Sequence, residues 1–229
     1  MRVALCFSGQ FRNVRQTYEQ YWLPQILQHN AHHHIDVFVH SWYDKTTAGQ
    51  TFMTAGGGVG SHATPDNVIQ DIYELYNPVA MSLMQQLSFD ERNYNDNKFP
   101  MIIPRFTLSK MYSAWACNQM KARHEVDHQF RYDVVAVARF DWAFQQPVFF
   151  DKVTQPGIYH PGLNPHGINV GYVMGDSPSV DLYNELFWKV QSVYDMGVPF
   201  CDEILAEAYL NLIGIPVHSF FTPSTINRG

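Results

Sequence analysis

Residues 132–144 read YDVVAVARFDWAF. The first half of this segment, residues 134–138, is an uninterrupted apolar run of the kind that is typical of a strand buried on both faces. Arg139 and Asp141 follow two residues apart, so on a strand their side chains would lie on the same face. A buried strand that ends in a cation and a carboxylate indicates either a ligand site or a structural ion pair, and the segment by itself leaves both open.

Strand-like and helix-like segments alternate on both sides of this run. Further strands are predicted at 3–7, 35–40, 79–87, 168–174 and 217–221, and helices at 17–28, 65–76, 107–128, 179–194 and 201–212. This alternation predicts the α/β class, with a mostly parallel central sheet flanked by helices. No internal repeat and no Pro- or Ser-rich linker divides the chain. We therefore expect one domain over 1–229, with mobile loops at the glycine-rich residues 48–63 and the polar residues 88–104.

Composition narrows the classes of function. The 229 residues are 46% hydrophobic and carry a formal charge of −6, which argues against a non-specific nucleic-acid binder with a basic face. No apolar stretch approaches the roughly 20 residues that cross a bilayer, and the first apolar run is too short for a signal peptide. Cys6, Cys117 and Cys201 lie far apart and predict free buried thiols in a reducing compartment. We therefore expect a cytoplasmic protein.

Ligands of such sheets bind beyond the carboxyl ends of the strands, so the residues that follow the strands are candidates. The turn Ser8-Gly9-Gln10 follows the first strand, and its small residues would let backbone N–H groups approach a phosphate or a base. We expect these groups, together with the side chain of Arg12, to line a nucleotide pocket. Trp42 follows the second strand, where it would either belong to the core or stack on a base or sugar ring.

Acidic residues and one histidine complete the set of candidates. Asp202 and Glu203 fall in the first turn of a predicted helix, where the helix dipole alone favours carboxylates. Their side chains diverge by about 100°, so only one can face a pocket. His218 lies in the last predicted strand, where a core histidine is the commoner explanation.

Four short segments together carry a resemblance to a known family. They are SGQFRN at 8–13, DVFVHSW at 36–42, KMYSAWACNQMKARHE at 110–125 and YDVVAVARFD at 132–141. In combination they resemble nucleotide-sugar glycosyltransferases with a GT-A-type fold, in particular small viral or bacterial polysaccharide-type enzymes that begin with an SGQFR stretch. The resemblance spans roughly residues 2–227. It implies a single GT-A-like domain that moves a sugar from a nucleotide-diphosphate donor to a glycan or small hydroxyl acceptor, with Mn²⁺ or Mg²⁺ as cofactor.

The resemblance also implies a metal site. It places Arg139-Phe140-Asp141 where such enzymes carry an Asp-x-Asp motif, and His218 where they carry a late histidine. Asp141 and His218 are therefore the expected metal ligands. Because Arg139 replaces the first aspartate, either metal binding is weaker or Arg139 itself neutralises part of the diphosphate charge.

The same resemblance assigns the remaining roles. Gly171 begins GYVMGD at 171–176, which corresponds to the glycine loop of the family, and Asp202 and Glu203 stand at its acidic helix start. Asp202 is the expected base of an inverting reaction, or the residue that orients a substrate in a retaining one. Glu203 is its substitute in either role.

Two other functions stay open. Arg139 in place of an aspartate would also fit a non-catalytic nucleotide-sugar-binding module of a larger glycan-assembly protein. His124, Glu125 and His128 match the HExxH pattern of zinc hydrolases, in which two histidines bind zinc beside a glutamate base. This is the weaker alternative, because Asp127 places a charge beside the ligands and no third ligand follows closely. The triplet at 32–34, three histidines, is interpreted as a solvated loop between a helix and a strand.

Overall fold

The apolar run at 134–138 forms the centre of the fold. The computed structural model describes residues 1–43, 50–53, 59–62, 65–94, 98–100, 102–164, 167–220 and 222–226. In it, β6 (Val134–Arg139) is buried along its apolar residues and lies between two strands. It pairs in parallel with β1 (Arg2–Gly9) and antiparallel with β11 (Tyr172–Gly175). The strand is covered on both faces, which is why its sequence can be apolar throughout.

Seven strands form the central sheet. Besides β1, β6 and β11 they are β2 (His34–Trp42), β5 (Ala80–Met84), β8 (Ile158–His160) and β12 (Val217–Ser219). The strand order is β12-β8-β11-β6-β1-β2-β5. Only β11 runs against its two neighbours, and the other four pairings are parallel. Three two-stranded sheets accompany it, formed by β3 (Gln50–Met53) with β4 (Val59–His62), β7 (Trp142–Phe144) with β13 (Ser224–Ile226), and β9 (Leu163–Asn164) with β10 (Gly167–Ile168).

Helices cover both faces of the sheet. One face carries α1 (Val14–Thr17), its π-helical continuation Tyr18–Leu27, and α2 (Val68–Tyr76); the other carries α3 (Pro104–His128), α4 (Ser177–Asn184), α5 (Leu186–Asp195) and α6 (Asp202–Ile213). Alternate residues of β1 enter the two cores, with Leu5 and Phe7 on the first face and Cys6 on the second. The predicted α/β class, with a mostly parallel sheet flanked by helices, is confirmed. The three cysteines are buried and free, as expected. Among the described residues, no helix combines the length and the apolar character that crossing a bilayer requires.

Several boundaries differ from the sequence prediction. The helix predicted at 179–194 is two helices that divide at Glu185. The strand predicted at 168–174 begins only at Tyr172, because residues 167–168 pair with β9 instead. Within the loop predicted at 48–63 the described residues form the antiparallel pair β3 and β4, and the remaining residues lie outside the described part. β8 was missed, since three residues are too few to show a period.

A buried ionic network ties α3 to α4. Lys121 Nζ lies 2.6 Å from Asp181 Oδ1, 2.8 Å from Ser177 Oγ and 3.2 Å from Glu125 Oε2. Glu125 also accepts a hydrogen bond from the backbone N–H of Tyr132 at 2.9 Å. The Lys121 and Glu125 side chains are 0% and 2% exposed, and Arg131 Nη1 is a second cation 3.3 Å from Glu125 Oε2, so these buried charges are compensated within the network.

We expect Lys121→Met to lower the free energy of unfolding by about 3 kcal/mol, the lower end for a broken buried pair, because the buried Glu125 carboxylate loses one cation and keeps only the exposed Arg131. Arg123→Met is the matched control on the same helix, since Arg123 is 77% exposed and pairs only at the surface with Asp127. The control should cost less than about 1 kcal/mol. Urea denaturation measures both values. Equal losses in the two variants would contradict a special role of the buried network.

Candidate functional site

A pocket opens at the carboxyl ends of β1 and β6, between the sheet and α3, α5 and α6. Its lining includes Ser8 and Arg139, which are direct neighbours in the register of the two strands. Lys110 of α3 and Asp202 of α6 also line it, and apolar residues such as Phe187 make up much of the remainder. The pocket contains about 500 Å³ of empty space, part of it open to solvent. This is the position at which α/β sheets of this type bind ligands.

Four residues that the sequence singled out meet in this pocket: Ser8, Arg139, Gly171 and Asp202. Gly171 lies so close to the ring of Trp142 that a Cβ atom would come within 2.2 Å of it. The carbonyl of Gly171 accepts a hydrogen bond from the backbone N–H of Arg139 at 3.3 Å. Position 171 therefore requires glycine because any side chain there would collide with the Trp142 ring.

Arg139 and Asp141 form a two-armed ion pair. Arg139 Nε donates to Asp141 Oδ1 at 2.8 Å, and Arg139 Nη2 donates to Asp141 Oδ2 at 2.7 Å. Arg12 Nη1 approaches Oδ2 to 3.7 Å, and the Asp141 side chain is 2% exposed. Both carboxylate oxygens of Asp141 are thus engaged by guanidinium groups. Arg139 itself remains 26% exposed and lines the pocket, so its guanidinium holds Asp141 and also borders the pocket space.

Lys110 is a pocket residue that the sequence interpretation missed. Its ammonium forms an ion pair with the carboxylate of Asp202. Burial lowers the pKa of Lys110 to about 8, with the Glu203 carboxylate acting to raise it and the Arg139 cation acting to lower it further. One signal was available: Lys110 shares a helical stripe with Ser113, Cys117 and Lys121, all of which face the protein interior.

The two acids at the start of α6 differ in their contacts, although a carboxylate oxygen of each lies within 4.8 Å of the other. Asp202 lines the pocket. Glu203 Oε2 instead accepts a hydrogen bond from Cys201 Sγ at 3.0 Å. The backbone carbonyl of Glu203 packs closely against Gly167, where an added Cβ atom would lie only 2.7 Å from the carbonyl oxygen. Of the two predicted carboxylates, Asp202 lines the pocket, and Glu203 lies beside it in contact with Cys201.

The turn after β1 is used differently from the prediction. The Gly9 N–H, expected to face a ligand, donates to Ser113 Oγ of α3 at 2.7 Å. Gly9 has φ of 103°, a backbone conformation that favours glycine. Gln10 Oε1 accepts a hydrogen bond from Arg12 Nη2 at 2.6 Å. The turn is therefore anchored to α3, and of its residues Ser8 is the one that lines the pocket.

Asp141 and His218 do not come together. His218 of β12 pairs with Tyr159 of β8 in the sheet. Tyr159 pairs with Met174 of β11, and Met174 pairs with Ala136 of β6. Three inter-strand spacings of about 4.8 Å put His218 roughly 14 Å from β6, and Asp141 lies five residues beyond Ala136. The predicted pair cannot share one cation, because ligands must lie within about 2.0–2.6 Å of the metal.

The pocket residues do not fit an Mn²⁺ or Mg²⁺ site. Asp141 has both oxygens in guanidinium contacts. Among the described residues, Cys201, Asp202 and Glu203 offer ligand atoms within 4.8 Å of one another. Asp202 is already paired with Lys110, and the group stands at the positive end of a helix, which disfavours a cation.

Trp42 and the HExxH segment also lie outside the pocket. Trp42 is 2% exposed and stacks on Tyr112 with ring centroids 5.4 Å apart, so it belongs to the aromatic packing around α3. His124 and His128 lie side by side, with ring centroids 4.1 Å apart. Glu125 belongs to the buried network with Lys121 and accepts a hydrogen bond from Ser177 Oγ at 2.6 Å. The zinc-hydrolase interpretation therefore loses its base.

The pH dependence of stability tests the surroundings of Lys110. Its pKa of about 8 lies below the ordinary value of 10.5, so between these values the unfolded chain binds more protons than the folded one. Stability contributed by this group therefore rises with pH across this window. We expect the free energy of unfolding of the native chain to increase relative to that of Lys110→Met between pH 8 and 10.5, as measured by urea denaturation. A relative decrease would show that pairing with Asp202 outweighs burial.

Comparison with known proteins assigns no relative to the chain: no protein-family model matches it, and no curated protein matches it either.

Proposed function

We propose that the chain binds a nucleotide-diphosphate sugar in this pocket and transfers the sugar to a hydroxyl group of a glycan or small acceptor. The observation that carries the proposal is the meeting of two cations, Arg139 and Lys110, with the carboxylate of Asp202 in one pocket at the carboxyl ends of β1 and β6. A reaction that expels a diphosphate needs positive charge at the leaving group and a proton acceptor at the incoming hydroxyl.

Arg139 is suited to the diphosphate. A guanidinium presents several N–H donors in a rigid plane and can engage phosphate oxygens in pairs. The pairing with Asp141 holds two of these donors, which fixes the side chain while Arg139 lines the pocket. Arg139 would thus supply the charge that an aspartate-bound metal supplies in the family that the sequence resembles. Whether Mn²⁺ or Mg²⁺ adds to this is part of the test below.

Asp202 is suited to the acceptor side. In an inverting reaction it would take the proton from the acceptor hydroxyl, and in a retaining one it would orient a substrate. Asp202 forms an ion pair with the ammonium of Lys110, and the donor phosphates would compete with Asp202 for that ammonium. Donor binding would then free the Asp202 carboxylate for the acceptor, which links the binding of the two substrates.

The same ion pair favours a second candidate function, a non-catalytic nucleotide-sugar-binding module. If Lys110 kept its ion pair with Asp202 while the donor is bound, the Asp202 carboxylate could not accept a proton from the acceptor. A transferase and a binding module would bind the donor equally, but only the transferase would turn it over.

The donor site can be tested with Arg139→Lys. This change keeps the charge beside Asp141 but loses the planar fork, so we expect the affinity for nucleoside diphosphates to fall roughly 10-fold. Calorimetric titration with UDP, GDP, ADP and dTDP, in EDTA and again in Mn²⁺, gives the affinity and its metal dependence. Arg15→Lys is the matched control, because Arg15 pairs with Asp71 on the helical face away from the pocket. Unchanged affinity in Arg139→Lys would contradict this donor site.

The catalytic carboxylate is tested by a pair of neighbouring amides. Asp202→Asn should lower turnover by roughly 10²–10⁴-fold with donor affinity little changed, because the shape is kept and the proton acceptor is lost. Glu203→Gln should keep most of its activity, since Asp202 lines the pocket and Glu203 contacts Cys201 behind it. Donor hydrolysis and transfer assays measure both. Activity that survives in Asp202→Asn and is lost in Glu203→Gln would reverse the assignment, and a native chain that binds donor without turnover would support the module.

A further inference from the structure

Three metal-ligating side chains meet outside the pocket. His32 and His33 lie in the turn that precedes β2, and Asp151 lies in the 3-10 turn Phe150–Lys152. One donor atom from each lies within 4.8 Å of the other two. Asp151 Oδ2 is 3.3 Å from His32 Nε2, and Asp151 Oδ1 is 3.4 Å from His33 Nε2. The cluster stands beside the amino end of β2, whereas the pocket lies at the carboxyl ends of the parallel strands.

His33 is the unusual member. Its side chain is only 3% exposed; Nε2 lies 3.4 Å from Asp151 Oδ1, and Nδ1 is buried without a hydrogen-bond partner among the described residues. A buried imidazole that faces a carboxylate offers two zinc ligands to one ion, so this position is suited to a metal. The sequence interpretation took the histidine triplet for a solvated loop. Burial of His33 is the observation that changes that interpretation.

Asn30 holds the two chain segments together. Its buried side chain donates to the carbonyls of Ile26 and Val148 at 2.8 and 2.7 Å and accepts from the Phe150 N–H at 2.9 Å. The Asn30 carbonyl also accepts from the His33 N–H at 3.0 Å. The two histidines and Asp151 are therefore positioned by a fixed hydrogen-bonded frame, which is how metal sites are preorganised.

We propose that His32, His33 and Asp151 bind one zinc ion, with water in the remaining coordination position. Zinc takes imidazole nitrogen at about 2.0–2.1 Å and carboxylate oxygen at about 2.0–2.2 Å in tetrahedral geometry, which separates neighbouring ligand atoms by about 3.3–3.5 Å. The two Asp151–histidine separations are already of this size. His32 and Asp151 are 60% and 57% exposed, so the ion can enter from solvent.

The expected role of this ion is structural. It would join segments about 120 residues apart in sequence, the turn before β2 and the 3-10 turn that follows β7. An ion that binds the folded chain in preference to the unfolded one raises stability by mass action. This role does not depend on the function proposed for the pocket, because none of the three ligands lines it.

The experiment is a zinc titration of chain that has been stripped with EDTA and dialysed. We expect one Zn²⁺ per chain by calorimetry and a rise in Tm that saturates at the same ratio. Asp151→Asn should weaken zinc binding by more than about 10-fold and abolish the rise in Tm. Asp151 is exposed, so this variant should fold; His32→Gln should behave in the same way. Co²⁺ in place of zinc should give visible absorption bands that vanish in both variants.

His34→Gln is the matched control, because His34 is the next residue and is exposed but pairs with Asp36 instead. His124→Gln is the second control, since His124 and His128 form the other close histidine pair. Both controls should bind zinc as the native chain does. Undiminished binding in Asp151→Asn, or loss of binding in either control, would overturn the assignment.

Discussion

The parallel pairing of β1 with β6 is the constraint on which the rest of the structure depends. Both strands are buried on two faces, and their alternate residues enter two different cores. A slip of one residue would exchange these cores, so the register is strongly fixed. The same register places Ser8 beside Arg139. Polar groups appear where the buried part of the two strands ends, and the pocket forms at that position.

Helix α3 is the second organising element, because it serves the fold and the pocket along one stripe. Lys121 ties it to α4 in the buried network, Ser113 anchors the turn after β1 through the Gly9 N–H, and Lys110 reaches Asp202 at the pocket. These contacts come from residues at helical spacing on the face that packs against the sheet. The position of the pocket residues is therefore coupled to the docking of this helix.

The charge arrangement in the pocket differs from that of a metal site. A buried carboxylate that faces two guanidinium groups, as Asp141 does, is neutralised by the protein itself. The positive charge then resides on side chains that cannot leave, and the helix start at Asp202 adds its dipole in the same sense. Under the proposed function, these side chains would meet the donor diphosphate without an added ion. The cluster at His32, His33 and Asp151 has a different character, because it combines imidazole and carboxylate groups, which are ligands that zinc takes.

Local pattern alone determined much of the fold. The apolar run of β6, the alternation of strands and helices, and the inward stripe of α3 follow from burial periodicity, which depends only on neighbouring residues. Pattern also placed Arg139 and Asp141 at a strand end and Asp202 at a helix start. Strand order is different, because it is set by packing between distant segments. Only the tertiary structure therefore put His218 three strands from β6, paired Lys110 with Asp202, and buried His33 opposite Asp151. Sequence spacing carries no information on such contacts, since residues far apart along the chain meet only when the sheet and its helices have assembled.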